Sequence, residues 1–474
     1  MNLQYLGFGL YLAAIFAVGI YFFFRTKSMG DFILGGRTLG AFPSALSSVA
    51  SDFSGWLLLG LPAFALTGGT GAFWIAFGLL LGTTANWTFI APKLREQSEQ
   101  LDDALTVPTF LERKLKDPTG FLRVVLSLAI LFFFAFYTSS GFVAGAKLFN
   151  AVFGLNYQTA VVVGAAFVLV YTFLGGYLAV SWTDVIQGLL MLAALLIIPV
   201  AAAFSLGGFG ETFSRLRELS PDHFSLTLNP DGTSITILGI LSLMAWGLGY
   251  FGQPHILARF MGIASVEKTG PARIIAVAWT AVAMGMALLV GYVGVVFFQN
   301  APLADAEQVF LELIKALSRP WIAGFLLAAV MAAIMSTADS QLLVSSSALA
   351  GDLLGKNLSP GLSLKISRAT VVAIAIIAAV LALDENSTVL GIVSYAWAGL
   401  GASIGSVLLM ALVWPRTSFI GGIAGVIVGG VVTVVWNQAS GGIFELYELL
   451  PAFLAACIAI VIGSLTNPNP AESA

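Results

Sequence analysis

The sequence predicts an all-α, polytopic membrane protein with thirteen transmembrane helices, in which spans 2–6 and 7–11 form two inverted five-helix repeats with broken helices. Three observations predict it. The first is composition: 58% of the 474 residues are hydrophobic and 9% are charged, with a mean hydropathy of +0.95. A soluble domain carries about 25% charged residues, and a chain this apolar has too few charges to cover its surface in water. The second is a series of apolar runs near the ~20 residues that a helix needs to cross the hydrocarbon. The third is the clustering of basic residues at the ends of those runs. Together they exclude a soluble enzyme, a disulfide-stapled secreted domain and a nucleic-acid binder, and 36 Phe with 10 Trp exclude disorder. Cys457 is the single cysteine, so the chain has no internal disulfide and no thiolate metal cluster. A net charge of -3 implies no charged partner.

Dividing the chain at charged or Gly/Pro-rich breaks gives spans at 5–24, 38–66, 73–92, 121–149, 157–178, 184–206, 235–257, 271–298, 320–350, 364–383, 389–413, 419–437 and 448–466. The first is too long for a signal-peptide core and lacks a basic segment before it and a cleavage site after it, so it reads as a retained span. Residues 1–466 then form one membrane domain: the extra first span, a first repeat over 38–206, a second over 235–413, two last spans over 419–466, and a short cytoplasmic tail at 467–474. An odd count puts the termini on opposite sides, and lysine and arginine choose which. An outside N-terminus places 16 of the 21 basic residues in the cytoplasm, Arg25, Lys27, Arg37, Lys93, Arg259 and Lys356 among them. Lys147, Arg215, Arg217, Lys315 and Arg319 are left outside.

Three of the 24 acids fall within spans: Asp52, Asp184 and Asp339. A charge at the bilayer centre costs roughly 3 kcal/mol or more, so these acids mark where function is expected. The second span reads Ala50-Ser51-Asp52-Phe53-Ser54-Gly55-Trp56. An acid, hydroxyls and a glycine at mid-span predict an interrupted helix whose free carbonyls suit a cation; the plainer alternative is an unbroken helix with packed polar groups. The seventh span reads Trp246-Gly247-Leu248-Gly249-Tyr250-Phe251-Gly252-Gln253-Pro254-His255. Trp246, Tyr250 and Pro254 share a face if the segment is helical, which suits a solute-lining stripe; close helix packing is the alternative. Interrupted segments five spans apart are the spacing of an inverted repeat and point to a transporter site. In the ninth span, Ala333, Ser336 and Thr337 lie on one face and offer two hydroxyls to a hard cation, or bond back to their own helix. Asp339 follows, close enough to influence a cation or to pair across the bundle. Asp184 opens the sixth span, either as an acid at a helix N-terminus or along a cation exit path. His255 reads as a packed residue. Gly68-Gly69-Thr70-Gly71 has no lysine after it and reads as a short outer turn. No catalytic triad, phosphate loop or metal cluster is present, so the chain does not read as an enzyme.

The segments already quoted, with Ile33-Leu34-Gly35-Gly36-Arg37, Tyr171-Thr172-Phe173-Leu174-Gly175-Gly176-Tyr177, Ala179-Val180-Ser181-Trp182-Thr183-Asp184 and Met335-Ser336-Thr337, closely resemble the sodium/solute symporter family, and within it the proline-specific members. The resemblance runs from the first span to the last. It implies thirteen helices, a multi-pass protein of the bacterial inner membrane, and symport of L-proline with sodium as the coupling ion and no other cofactor. It places sodium at backbone oxygens of Ala50, Phe53 and Ala333 and the hydroxyls of Ser336 and Thr337, with Asp52 required for sodium dependence. It places proline near Ser54, Gly55 and Trp56, with Tyr137, Trp246, Tyr250 and Pro254 closing the pocket. Asp184 matches an acid tied to sodium release or a second ion site, and Arg37 a functional basic residue of the first cytoplasmic-side loop. Asp339 departs from the pattern and leaves ion stoichiometry open. A related symporter of another small organic solute, pantothenate or another amino acid, is the alternative. Partners are then proline, sodium and membrane lipid, with no nucleic acid, and nothing in the sequence demands more than a monomer.

Overall fold

The computed structural model describes residues 3–23, 33–174, 177–355 and 360–468. Arg25, Lys27 and Lys356 of the charge sorting, Gly175 and Gly176 of one family segment, and the end of the tail from 469 lie outside the described residues.

The described chain is helical, with two isolated bridges, Leu39 to Ile263 and Leu228 to Ser234. In order, α1 (Leu3–Phe23) leads to a bent pair, α2 (Ala41–Asp52) and α3 (Trp56–Gly68). Then come α4 (Gly71–Gln100), the short α5 (Val107–Lys114), α6 (Phe121–Phe153), α7 (Tyr157–Leu174) and α8 (Tyr177–Ser205). A long connection carries α9 (Phe209–Leu219) to α10 (Ile237–Met244), which tightens into a 3-10 helix over Ala245–Gly252 before α11 (Pro254–Gly262). The chain ends with α12 (Thr269–Phe297), the short α13 (Val309–Leu317), α14 (Pro320–Leu353), α15 (Pro360–Leu381), α16 (Val389–Val413), α17 (Phe419–Gln438) and α18 (Leu449–Thr466). Among the described residues, nine helices are long and apolar enough to cross a membrane, or ten with α2 and α3 as one span bent by 63°. Shorter apolar helices occupy Tyr5–Val18, Tyr157–Thr172 and Ile237–Gly252.

Local chemistry sets these boundaries. Thr106, Thr236, Thr388 and Ser418 start α5, α10, α16 and α17, each side chain accepting from an amide of the first turn. The turn between α3 and α4 holds Gly69 at φ +54°, a conformation that glycine adopts without strain. Burial then ranks the helices: 83% of the most apolar window of α14 is buried, against 33% for α17 and α18. α14 is therefore the central pillar, and α17 and α18 face lipid.

Two sequence expectations shift. Asp184 lies two turns inside α8 rather than at its start, because the helix already begins at Tyr177. Arg259, counted above among the loop charges, belongs to α11 and is fully buried.

Candidate functional site

The site grows from the end of α2. In an α-helix the amide of Ser54 would bond the carbonyl of Ala50. Here it bonds Asp52 O instead, at 3.0 Å. The Ala50 carbonyl is released from its helix, and Ser336 Oγ of α14 donates to it at 2.7 Å while also reaching Ala333 O at 3.1 Å. Thr337 Oγ1, one residue on, is buried with no hydrogen-bond partner. Ser336 thus brings the carbonyls of Ala50 and Ala333 together, with Phe53 capping α2 at the bend and Thr337 next to Ser336 on α14.

Asp52 lies at the same bend, 2% exposed. Its Oδ2 accepts from Tyr250 Oη at 2.5 Å, joining the bend of α2–α3 to the 3-10 segment after α10. Its backbone carbonyl takes Trp56 Nε1 at 3.0 Å and Tyr137 Oη at 3.5 Å. Trp397 of α16 completes a ring cluster, its ring centroid 5.1 Å from that of Tyr250 and 6.4 Å from that of Tyr137. Trp56, Tyr137, Tyr250 and Trp397 are each no more than 2% exposed, so the ring cluster is buried in the protein interior. Ser54 and Gly55 pass directly beneath α6, where a Cβ on Gly55 would collide with Ala144.

Not every expected residue joins this cluster. Residues four apart share a face of an α-helix but are turned by about 120° in a 3-10 helix. Trp246 accordingly stacks on Tyr447, centroids 4.9 Å apart, and meets the cluster only through its carbonyl, which accepts Trp397 Nε1 at 2.8 Å. Pro254 opens α11 and lines a separate cavity of about 30 Å3 with Ala258, Arg259, Ser347 and Asp352. The glycines of this segment serve close packing: a Cβ on Gly249 would overlap the Trp397 ring.

One turn below Ala50, a buried polar network begins. Ser47 Oγ donates to Asp184 Oδ2 at 2.7 Å, and Arg259 Nη2 reaches the same oxygen at 3.1 Å and Ser340 Oγ at 2.6 Å. Ser340 in turn donates to Ser336 O at 2.9 Å, so Asp184 is tied to the Ala50–Ser336 contact through side chains of α11 and α14. Asp339 accepts from Thr172 of α7, and one oxygen each of Asp184 and Asp339 has no partner. His255 packs against the Phe134 and Tyr137 rings with both nitrogens unpartnered. Arg37 lies apart, at the foot of the molecule, where it bonds Asp103, Ser98, Ala104 O and Met261 O and so ties its loop to α4 and α11. Sequence reasoning missed Trp397, Ser47 and the role of Arg259. The usable signal for Arg259 was its register, one helical turn past His255.

The model of the sodium:solute symporter family matches residues 32–429. The high-affinity proline transporter PutP of Bacillus subtilis is 44% identical over 96% of both chains. The sodium/proline symporter of Escherichia coli is 43% identical over 98% of this chain and 93% of its own. In fold, the chain is similar to a sodium-coupled sialic acid symporter solved in a substrate-bound outward-open state, with a TM-score of 0.83 at 21% identity over 99% of this chain and 98% of that one. The chain belongs to the sodium:solute symporter family.

Proposed function

We propose that this protein carries L-proline into the cell together with sodium by alternating access. The observation that carries the reading is the carbonyl of Ala50, released from its helix beside Asp52 and met by Ser336 of α14. Similarity to proline transporters over nearly the whole chain supports the substrate.

Sodium, as cargo, would be held by the carbonyls of Ala50, Phe53 and Ala333 and the hydroxyls of Ser336 and Thr337. Such oxygens suit a hard, singly charged cation without a dedicated carboxylate cage. Asp52 links this group to the substrate region, since its carboxylate holds Tyr250. Proline would place its carboxylate at the amides around Ser54 and Gly55, where α3 begins, and its ring against Trp56, Tyr137 and Tyr250. Trp246 acts through its hold on Trp397, and Pro254 on the cavity below. Asp184 and Asp339 lie in the polar network beneath, on the path by which the cation would leave. Arg37 would keep the first basic loop docked on α11. Because both ligands order the same bend, each favours binding of the other. Inward movement of one positive charge at -100 mV contributes about 2.3 kcal/mol.

This reading includes thirteen spans, two inverted five-helix repeats, an outside N-terminus and a cytoplasmic C-terminus. The three shorter apolar helices added to the ten long spans support the count, and the paired interruptions at Phe53–Gly55 and Gln253 support the repeats.

Uptake of labelled L-proline into proteoliposomes under an imposed sodium gradient tests it. Uptake should vanish when potassium replaces sodium and in Asp52→Ala. Removing one hydroxyl ligand in Ser336→Ala should weaken apparent sodium affinity about tenfold, near 1.4 kcal/mol. Uptake unchanged in potassium would overturn the coupling. Uptake of another solute without competition by proline would overturn the substrate.

A further inference from the structure

Helices α6 and α17 run side by side in the same direction, since Gly422 faces Leu122 and Gly430 faces Phe133. Between them an open groove of about 400 Å3 is left unfilled, and every residue lining it is apolar, including Val125, Leu128, Phe132, Val426, Gly430 and Val434. Its walls are outward-facing: Leu128 is 53% exposed and Val431 55%. The lining runs from Val125 to Phe133 on α6 and from Val426 to Val435 on α17. At 1.5 Å per residue that is about 12–14 Å, close to the ~15 Å hydrocarbon depth of one leaflet, half of a ~30 Å core. At Gly430 a Cβ would meet only the Phe133 ring, at 4.0 Å, so the groove wall there has room for a side chain.

The lower end of the groove is charged. Leu115, just past α5, seats against Gly422, and Lys114 and Lys116 flank it. Lys114 is half-buried beside Lys93, and burial and that neighbouring charge both push its pKa down. Lys93 reaches the Leu412 carbonyl at the end of α16 at 3.5 Å, and Arg416 lies exposed in the turn from there to α17. Of the carboxylates close by in sequence, Glu112 is paired with Arg123 at 3.2 Å, while Asp117 is held by the amides of Thr119 and Leu122 and Glu96 by Gln100, leaving four cations, Lys93, Lys114, Lys116 and Arg416, against two acids without a cation. Two lysines drawn together, with further exposed cations around them, form an arrangement that an anion stabilises.

We propose that this groove is a binding site for one anionic phospholipid of the leaflet on that side, with an acyl chain between α6 and α17 and the phosphate against Lys93, Lys114, Lys116 and Arg416. A second copy of the chain could cover an apolar face, but it would not answer the basic cluster at the groove's mouth. The charge complementarity selects the lipid.

Native mass spectrometry of the full chain, released from nanodiscs of equimolar phosphatidylglycerol and phosphatidylcholine with the same acyl chains, tests the site. One phosphatidylglycerol should be retained per protein, several-fold in preference to phosphatidylcholine. Gly430→Leu fills the groove without striking backbone and should reduce retention of both lipids. The triple variant Lys114→Gln, Lys116→Gln, Arg416→Gln is confined to loops and helix ends, and it should retain lipid but lose the preference. Equal retention of the two lipids by the unaltered protein would overturn the proposal. So would retention unchanged in both variants, or a dimer mass without lipid that Gly430→Leu abolishes.

Discussion

At Arg259 every guanidinium nitrogen is engaged: Nε with Ser47, Nη1 with His255 O, and Nη2 with Asp184 and Ser340. Both members of the Arg259–Asp184 pair are fully buried. Removing one partner of a buried pair strands the other charge and costs about 3–5 kcal/mol. Asp184→Ala and Arg259→Ala should each lower the melting temperature in detergent sharply, and the double variant should lose clearly less than the sum. Additive losses would show that the pair is not coupled. Asp184 was legible in the sequence because an acid inside an apolar run has few innocent explanations. Arg259 was not, because a basic residue near a span end looks like an ordinary boundary charge until its helix is seen to continue around it. Trp397 gave no signal either, since a tryptophan among small apolar residues reads as lipid-facing or core.

The interruption of α2–α3 was readable residue by residue, because an acid, hydroxyls and a glycine at mid-span all oppose a continuous helix. The segment after α10 was readable as irregular but not as a 3-10 helix. Its aromatic spacing of four fits an α-helix, and the choice is made by what the glycines touch. Gly249 admits Trp397, and Gly252 packs on the backbone of α16 at Leu400 and Gly405. These contacts draw the segment tight against α16, and the tighter helix turns Trp246 away from Tyr250. Gly249→Ala should therefore act as overpacking, costing about 1–3 kcal/mol, and should impair transport by displacing Trp397 from Tyr250 and Tyr137. A variant with unaltered stability and uptake would remove the packing role of this glycine.

Across the whole molecule, the connection from α8 to α10 folds back over the head of the bent helix. His223 is the fastening: Nε2 lies 2.9 Å from Ala65 O of α3, and its own carbonyl accepts from Thr70. The carbonyl can only accept, so Nε2 carries the hydrogen, and a neutral ring satisfies the contact. Burial pushes the His223 pKa below the usual value, and the bond to Ala65 opposes this only in part. The unfolded chain then binds a proton that the folded chain does not. Its contribution is full above about pH 6.5 and declines as pH falls towards the lower folded value. Thermal melting should drop by a few degrees between pH 7 and pH 5, and His223→Gln should flatten that slope; an unchanged slope would rule out this residue as its source. The sequence conveyed the length and apolarity of the spans, which lipid dictates, but not this cap, whose contacts join residues more than 150 positions apart. A last consequence concerns the contact between Ser336 Oγ and the Ala50 carbonyl, 2.7 Å apart. Two oxygens at that separation share a proton, whereas two oxygens aimed at one cation share none and repel. A sodium ion bound there, as proposed, would be a wedge: it would turn the serine proton aside, spread α2 from α14, and deliver that displacement to a helix already bent by 63°.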